Sequence, residues 1–216
     1  MSIQRNVVVL IGSLRKQSIS AGLAEALREI VPAQLQLKVL PIGDMPFYNP
    51  DIEACAPASW IAFRKAIVEA EAILFIMPEY NRSIPAVLKN AVDVASRPYG
   101  LSAWDGKPAA IITLSPGTLG GFGANHHLRQ AMVCLNVLTM TTPEMYLGGC
   151  NSLLAEDGTV SNQDTKAYLT LAMQKFSAWI DLIHQSKVAQ LVSSTAPSVI
   201  LSAAKKKENT DGLPFF

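Results

Sequence analysis

Three short, unbroken apolar segments constrain the fold of this chain more than any other feature of its sequence. They are rich in β-branched residues, and a residue that favours turns follows each of them. The segments are residues 7–11, 72–77 and 109–114, and they are followed by Gly12, Pro78 and Ser115. Runs of this kind are typical of strands that are buried on both faces of a parallel sheet.

Two further segments predict the edges of the same sheet. Residues 35–39 alternate apolar and polar side chains, as a strand does when one of its faces meets water. Residues 137–141 are more polar than the three apolar segments, and they predict a fifth strand at the opposite edge. The sequence therefore predicts five strands, of which three are central.

Apolar residues recur at helical spacing between these strands, which predicts amphipathic helices that pack on the sheet. The residues that recur are Ile19, Leu23, Leu27 and Ile30, then Trp60, Phe63 and Ile67, then Leu88, Ala91, Val92 and Ala95, then Leu128, Ala131, Met132 and Leu135, and finally Leu169, Ala172, Phe176, Ile180 and Ile183. Alternating strands and helices form parallel βαβ units with right-handed crossovers. We therefore expect a doubly wound, three-layer α/β sandwich with a five-stranded parallel sheet in the order 2-1-3-4-5.

The length and composition of the chain favour one folded domain. Half of its 216 residues are apolar, which excludes global disorder. The net charge of +1 is too small for the basic surface on which nucleic-acid binding depends, so no nucleic-acid partner is expected. The helical pattern weakens after Lys187, so we expect the domain to span residues 1–186. Residues 187–216 are predicted to form a C-terminal tail that is flexible or docks on another subunit.

The cysteines, the histidines and the length of the apolar runs bear on metals and on location. Cys55, Cys134 and Cys150 form no Cys-x-x-Cys pair, which disfavours a zinc cluster and favours a reducing compartment. His126 and His127 are adjacent and would point in different directions on a helix, which favours surface roles. No apolar run has the length of a signal peptide or of a membrane span. We expect a cytoplasmic protein with no metal site and no membrane contact.

Ligands of such sheets bind beyond the carboxyl ends of the strands, where the strand order reverses. In the predicted order this point lies between the first and third strands. The turn after the first strand, residues 12–20, has three hydroxyl groups, two cations and no acid ahead of a helix. Hydroxyls, backbone N–H groups and the positive end of a helix dipole suit one phosphate group. The turn fits neither the dinucleotide nor the Walker pattern, and a simple polar turn capped by a serine would look similar.

The turns after the third and fourth strands have features that suit a flat heterocycle. Residues 78–83 place the aromatic ring of Tyr80 and the amide of Asn81 ahead of Pro85, which fits the first turn of a helix. An ordinary capped turn with a surface tyrosine would have the same pattern. Residues 115–121 contain three glycines, which permit a flat ligand to approach the backbone closely.

Together the three turns resemble those of the NADPH-dependent FMN reductase family, and within it the bacterial quinone and chromate reductases. The resemblance covers residues 5–185. It rests on Gly-Ser-Leu-Arg-Lys-x-Ser at 12–18, Pro-Glu-Tyr-Asn-x-Ser-Ile-Pro-x-x-Leu-Lys-Asn-Ala-x-Asp at 78–93, and Ser-x-Gly-x-x-Gly-Gly at 115–121 with Leu-Arg-Gln at 128–130. It implies a flavodoxin-like fold, non-covalent FMN, and NADPH or NADH as the hydride donor. A quinone, a flavin, an azo dye or a metal oxyanion would then accept the electrons.

The resemblance also assigns cofactor-binding residues by position. Those around the FMN phosphate are Ser13, Arg15, Gln17, Ser18 and Ser20. Those around the isoalloxazine edge and the ribityl chain are Pro78, Glu79, Tyr80 and Asn81, and those along the ring are Ser115 and Gly117. No catalytic side chain is implied, because the flavin carries the chemistry. The family resemblance further implies a homodimer or a homotetramer.

Three positions differ from many members of that family. Gln17 replaces a glycine and Ser20 replaces an asparagine, and both retain polar groups for phosphate binding. Gly123 replaces an arginine, which bears on the preferred pyridine nucleotide or on a subunit contact.

Two other functions are compatible with the same fold. One is a flavodoxin-like electron carrier or FMN-binding module without NAD(P)H turnover. The other is a two-component flavin reductase that uses FMN as a diffusing substrate. The near-neutral charge and Arg15 disfavour the carrier, because flavodoxins are usually acidic and lack an arginine in the phosphate loop.

Overall fold

The computed structural model describes residues 4–194, and it describes side chains through Lys187. Within these residues, strands and helices alternate as the apolar pattern predicts. The strands are β1 (Arg5–Ile11), β2 (Leu35–Val39), β3 (Ala72–Pro78), β4 (Pro108–Leu114), β5 (Leu138–Thr139) and β6 (Met145–Leu147). The helices are α1 (Ile19–Arg28), α2 (Ala58–Glu69), α3 (Ala86–Ala95), α4 (Phe122–Cys134) and α5 (Gln163–Ser194), with short 3₁₀ helices at Pro50–Cys55 and Cys150–Ser152.

The strands form one parallel sheet in the order β2-β1-β3-β4-β5. The predicted order and the edge position of β2 are therefore confirmed. β1 and β3 are adjacent, and their register runs from Val7 opposite Ala72 to Ile11 opposite Ile76. The chain consequently leaves both strands side by side at the carboxyl end of the sheet, which is where the strand order reverses.

The strand predicted at residues 137–141 is shorter than expected. β5 has two residues and pairs with the start of β4, whereas β6 pairs with the end of β4. Two short strands thus share one edge position, and β6 was not predicted. Pro143 lies in the connection between them, and its missing N–H group cannot join a continuous ladder.

Buried apolar side chains cover both faces of the sheet, as the continuous apolar strands require. Along β3, Leu74 and Ile76 belong to a core cluster shared with α1 and α5. Ile73, Phe75 and Met77 belong to a second cluster shared with α2, α3 and α4. The sheet is therefore the middle one of three layers, as predicted.

The predicted helical stripes lie in or against these two clusters, except for Ile183 at the end of the last stripe. Leu23 and Leu27 of α1 are fully buried, whereas Ile30 lies beyond the end of that helix. The helix before the third strand is confirmed, since its apolar stripe is buried in α2. The residues of that stripe are Trp60, Phe63 and Ile67.

One compact unit of the chain ends at Asp181, and the described part of the second unit is the end of α5, from residue 182 onward. The first residues of the predicted tail, up to Ser194, are helical. Residues 195–216 of that tail lie outside the described residues. Between residues 4 and 194, no helix combines the length and the apolar character that crossing a membrane requires.

Candidate functional site

The turn between β1 and α1 forms one wall of a cleft. Its first residue, Gly12, lies so close to β3 that an added Cβ would come within 2.6 Å of the Met77 Cβ. Packing alone therefore explains this glycine. Ser18 caps α1 by accepting a hydrogen bond from the Ala21 N–H at 3.2 Å. The cap fixes the positive end of the α1 dipole beside the turn.

The polar side chains of this first turn differ in exposure. Ser18 and Ser20 are 8% and 1% exposed, so their hydroxyls belong to the interior of the cleft. Arg15 is exposed, and its backbone N–H donates to the Ser13 Oγ at 3.4 Å. Across residues 4–194 its guanidinium group has no hydrogen-bond or ion-pair partner. A positive charge is therefore available at the mouth of the cleft.

The turn after β3 is a tight reversal. The Tyr80 N–H donates to the Ser83 carbonyl at 3.1 Å, and the Ser83 N–H donates to the Tyr80 carbonyl at 2.9 Å. The two residues between them, Asn81 and Arg82, have positive φ angles of 51° and 65°. The ring of Tyr80 is 47% exposed at the rim of the cleft.

The carboxylate of Glu79 binds α4. Its Oε2 accepts a hydrogen bond from the Ala124 N–H at 3.0 Å, and its Oε1 lies 3.8 Å from the Arg82 Nη1. Ala124 lies in the first turn of α4, where free N–H groups and the helix dipole stabilise an acid. The Glu79 N–H is also used within the protein, since it donates to the Leu114 carbonyl at 3.3 Å.

The three glycines of the turn after β4 have different roles. Gly120 and Gly121 have φ angles of +59° and +84°, and an added Cβ would come within 2.5 Å of the Tyr146 backbone and 2.8 Å of the Thr113 Cβ. At Gly120 and Gly121, other residues of the protein therefore occupy the space where we expected a ligand to approach the backbone. An added Cβ at Gly117 would meet only the Ser115 Oγ, at 3.9 Å. Of the three, Gly117 therefore faces open space.

These turns enclose a cleft of about 190 Å³ at the carboxyl end of the sheet. Seven of the predicted cofactor-binding residues line it, namely Ser13, Arg15, Ser18, Ser20, Pro78, Glu79 and Tyr80. The other four predicted residues lie on the same turns without lining this cleft. Gln17, Asn81 and Gly117 are exposed, and the Ser115 Oγ donates to the Gly117 carbonyl at 3.1 Å.

Several residues that line the cleft were not predicted, namely Ile19, Leu114, Pro116, Cys150 and Asn151. The last two follow β6, whose end is joined to the third turn by backbone hydrogen bonds. The Ser115 N–H donates to the Leu147 carbonyl, and the Cys150 N–H donates to the Ser115 carbonyl, both at 3.1 Å. A strand recognised at residues 145–147 would have placed Cys150 and Asn151 at this edge of the sheet.

The charges around the cleft favour an anion. Among the described residues that line the cleft, Glu79 is the only acid, and α4 already binds its carboxylate. Burial raises the pKa of the Cys150 thiol, so this side chain adds a neutral wall. A larger groove of about 500 Å³ lies elsewhere and includes Asp181 but no cation among its lining residues. That groove does not suit a phosphate.

The two histidines of α4 are exposed, as predicted, and they lie outside the cleft. The His127 Nδ1 lies 3.0 Å from the Ser83 Oγ, and the His126 Nε2 lies 3.1 Å from the Tyr146 hydroxyl. In the part of the chain that the structure describes, no three His, Cys, Asp or Glu side chains group as the ligands of a metal ion do.

A doubly wound sheet in this strand order, with its ligand site where the order reverses, defines the flavodoxin-like class of proteins. The model of one family of that class, described as NADPH-dependent FMN reductase, matches residues 5–151. The chain belongs to the NADPH-dependent FMN reductase family. It is therefore an oxidoreductase that uses FMN and NAD(P)H.

Relatives support the same assignment. The chain is 50% identical to a quinone reductase of Pseudomonas putida over 183 residues, which cover 84% of this chain and 98% of the relative. It is 41% identical over 174 residues to a 2-hydroxy-1,4-benzoquinone reductase of Burkholderia sp., with 81% and 95% covered. Among solved structures, the flavoenzyme NAD(P)H:(acceptor) oxidoreductase FerB from Paracoccus denitrificans is similar with a TM-score of 0.78 at 39% identity, covering 82% of this chain and 97% of FerB. The predicted family and fold are confirmed.

Proposed function

We propose that this enzyme reduces quinones with electrons from NADPH or NADH, and that its FMN binds in the cleft described above. The proposal rests on the 50% identity to a quinone reductase over 98% of that relative. The exposed ring of Tyr80 at the rim of the cleft supports it, because aromatic rings stack on one another. Free flavins, azo dyes and metal oxyanions are further acceptors for the same chemistry.

The phosphate of FMN would bind at the turn between β1 and α1, through Ser13, Arg15, Gln17, Ser18 and Ser20. Buried hydroxyls, the N-terminus of α1 and a cation with no partner among the described residues form a donor set that fits a dianionic phosphate. Pro78, Glu79, Tyr80 and Asn81 would hold the ribityl chain and the ring edge, with Ser115 and Gly117 along the ring. The cleft, at about 190 Å³, is smaller than the roughly 300–1,000 Å³ of pockets that enclose a whole ligand, so part of the flavin would lie outside it.

When bound, FMN supplies the hydride and electron transfer, and the protein binds and orients the reactants. Arg15 would neutralise the phosphate at the mouth of the cleft, and the serine hydroxyls would donate hydrogen bonds to it. Cys150 and Asn151 close the wall on the side of β6. The proposed reaction requires no side chain that acts as an acid or a base.

We further propose a cytoplasmic homodimer or homotetramer in which residues 1–186 form the reductase domain. Cys55, Cys134 and Cys150 are free thiols, as is typical of proteins in reducing compartments. Leu119 lies in the turn between β4 and α4, and Phe122 directly follows that turn. They are 56% and 50% exposed and offer an apolar surface to a second copy. Light scattering coupled to size-exclusion chromatography tests the oligomeric state.

The test of the function is an anaerobic titration of the FMN-loaded protein with NADPH, followed by 1,4-benzoquinone. We expect NADPH to bleach the visible absorbance of the flavin and the quinone to restore it. The same titration with NADH is the control for nucleotide preference. A flavin that neither nucleotide bleaches would contradict the proposal. FMN that is lost on gel filtration but is turned over when added in excess would instead identify a two-component flavin reductase.

A further inference from the structure

The turn that carries Tyr80 and Asn81 has a strained backbone. Asn81 and Arg82 are both in the left-handed region, with φ angles of 51° and 65°. Residues other than glycine lose free energy in this conformation, and asparagine loses less than arginine does. A strained turn keeps its shape only when its surroundings hold it.

The first such support is the carboxylate of Glu79. It is bound by the Ala124 N–H at 3.0 Å, and the Glu79 side chain is only 12% exposed. Its attachment to the N-terminus of α4 fixes the start of the turn. A charge-assisted hydrogen bond of this kind is stronger than one between neutral groups.

The second support is the contact between Ser83 and His127. The Ser83 Oγ and the His127 Nδ1 lie 3.0 Å apart, and Ser83 is the residue that closes the turn. His127 lies on α4, one turn after Ala124. The two supports therefore join both ends of the turn to the same helix.

Gly123 makes this attachment possible. An added Cβ at this position would lie 2.8 Å from the Arg82 carbonyl oxygen and 2.9 Å from the Glu79 Oε2. Both distances are shorter than a Cβ tolerates, so the turn approaches α4 as closely as it does only because residue 123 is glycine.

We propose that Glu79 and His127 are positioning residues, through which α4 holds the strained turn in its ligand-binding shape before FMN arrives. The inference rests on the proposed function, in which Tyr80 and Asn81 contact the flavin. Without the two supports the turn relaxes in the free protein. FMN binding must then restore its shape, and the affinity falls by the free energy that this restoration costs.

The experiment measures the FMN affinity of the apoprotein by quenching of flavin fluorescence, at a temperature far below the melting point. We expect His127→Ala to weaken FMN binding about two- to tenfold, the range that one neutral hydrogen bond gives. His126→Ala is the matched control, since this neighbour is also exposed but contacts Tyr146 instead of the turn. Its FMN affinity should equal that of the wild type.

Two further variants keep the outcome unambiguous. Ser83→Ala should weaken FMN binding as much as His127→Ala does, and the double variant should be no worse than either single one. Glu79→Gln keeps an oxygen acceptor for Ala124 but loses the charge, so it should weaken binding less than Glu79→Ala.

The possible outcomes separate this inference from the proposed function. Wild-type protein that fails to bind FMN overturns the proposed function. Wild-type protein that binds FMN, with His127→Ala and Glu79→Ala of unchanged affinity, overturns the positioning role alone. Lower melting temperatures with unchanged FMN affinity would show that the two contacts serve stability only, which also overturns it.

Discussion

At the amino end of the sheet Arg5 is bound by two carboxylates, whereas at the carboxyl end the guanidinium group of Arg15 has no hydrogen-bond or ion-pair partner within residues 4–194. Arg5 contacts Glu71 at 2.8 Å and Asp181 at 2.9 Å. The hydrogen bond to Glu71 raises the pKa of the Arg5 guanidinium, so this cation stays charged inside its cluster. This difference indicates that a cation held in ion pairs, as Arg5 is, contributes to stability. A cation without a partner among the described residues, as Arg15 is, is available to bind a ligand.

Other contacts extend this difference between the two ends. At the amino end the Lys107 Nζ donates to the Val68 and Ala70 carbonyls, each at 2.6 Å, and so caps the end of α2. At the carboxyl end, the N–H groups in the first turns of α1 and α4 bind side chains from outside the two helices, namely Ser18 and Glu79. One of these helix ends binds Glu79 of the protein, and the other lies beside the cleft.

The largest effect is expected from removing the ion pairs of Arg5 at the amino end of the sheet. Arg5→Met leaves Glu71 and Asp181 without their shared cation, and Arg5 is only 12% exposed. We expect the free energy of unfolding to fall by about 2–3 kcal/mol, less than the roughly 3–5 kcal/mol of a fully buried pair, because Glu71 and Asp181 are both partly exposed. Urea denaturation measures this change, and the FMN affinity should not change.

Lys65→Met is the matched control for that variant. Lys65 pairs with Glu69 at 3.8 Å on the surface, with both side chains well exposed. We expect a change of less than about 0.5 kcal/mol. Equal losses in the two variants would refute the view that the amino end is held by its ion pairs.

The next largest effect is expected at the carboxyl end. Arg15→Ala should weaken FMN binding by more than about 1 kcal/mol, because it removes a charge-assisted hydrogen bond to the phosphate. The unfolding free energy of the apoprotein should stay the same, since Arg15 is exposed. Fluorescence titration with FMN measures the affinity.

Lys16→Ala tests whether that effect is local. Lys16 is exposed in the same turn and carries the same charge, but it does not line the cleft. We expect a change in FMN affinity of less than about threefold, from long-range electrostatics alone. A Lys16 variant as weak as the Arg15 variant would mean that the general positive charge of the turn, and not one contact, attracts the phosphate.

The fold could be predicted from the sequence because its strongest signals are local. Continuous apolar strands such as residues 72–77 have one arrangement that buries both faces, and helical stripes mark the layers that cover them. β6 was missed because it has three residues, with the polar Tyr146 in the middle. A strand this short is determined by its neighbour β4 and not by its own pattern.

The site could be predicted only as far as its parts lie next to strand ends. Ser13 follows β1 and Pro78 is the last residue of β3, so their cleft position follows from the topology. The partners of Gly120 and of Glu79 come from distant parts of the chain, namely the Tyr146 backbone and Ala124. No spacing rule in the sequence reveals such contacts. The glycines after β4 therefore predicted the close approach of a ligand, whereas at Gly120 other residues of the protein pack there.

The smallest effect is expected from relieving backbone strain at the carboxyl end. Arg82→Gly removes the cost of a positive φ angle, and the greater freedom of glycine in the unfolded chain offsets part of this gain. We expect a net stabilisation of about 0.5–1 kcal/mol, which thermal unfolding detects as a rise of roughly 1–4 °C. Arg82→Ala is the control, because it removes the same guanidinium but keeps the strained Cβ.

Asn136 at the amino end extends the comparison, since it also has a positive φ angle, of 54°, but its Nδ2 donates to the Asp105 Oδ1 at 2.8 Å. We expect Asn136→Gly to bring no gain, because it loses that hydrogen bond and asparagine already tolerates the left-handed region. A gain at Asn136 as large as that at Arg82 would show that strain is spread over both ends of the sheet. In that case the strained turn beside the cleft would not be a special feature of the binding end.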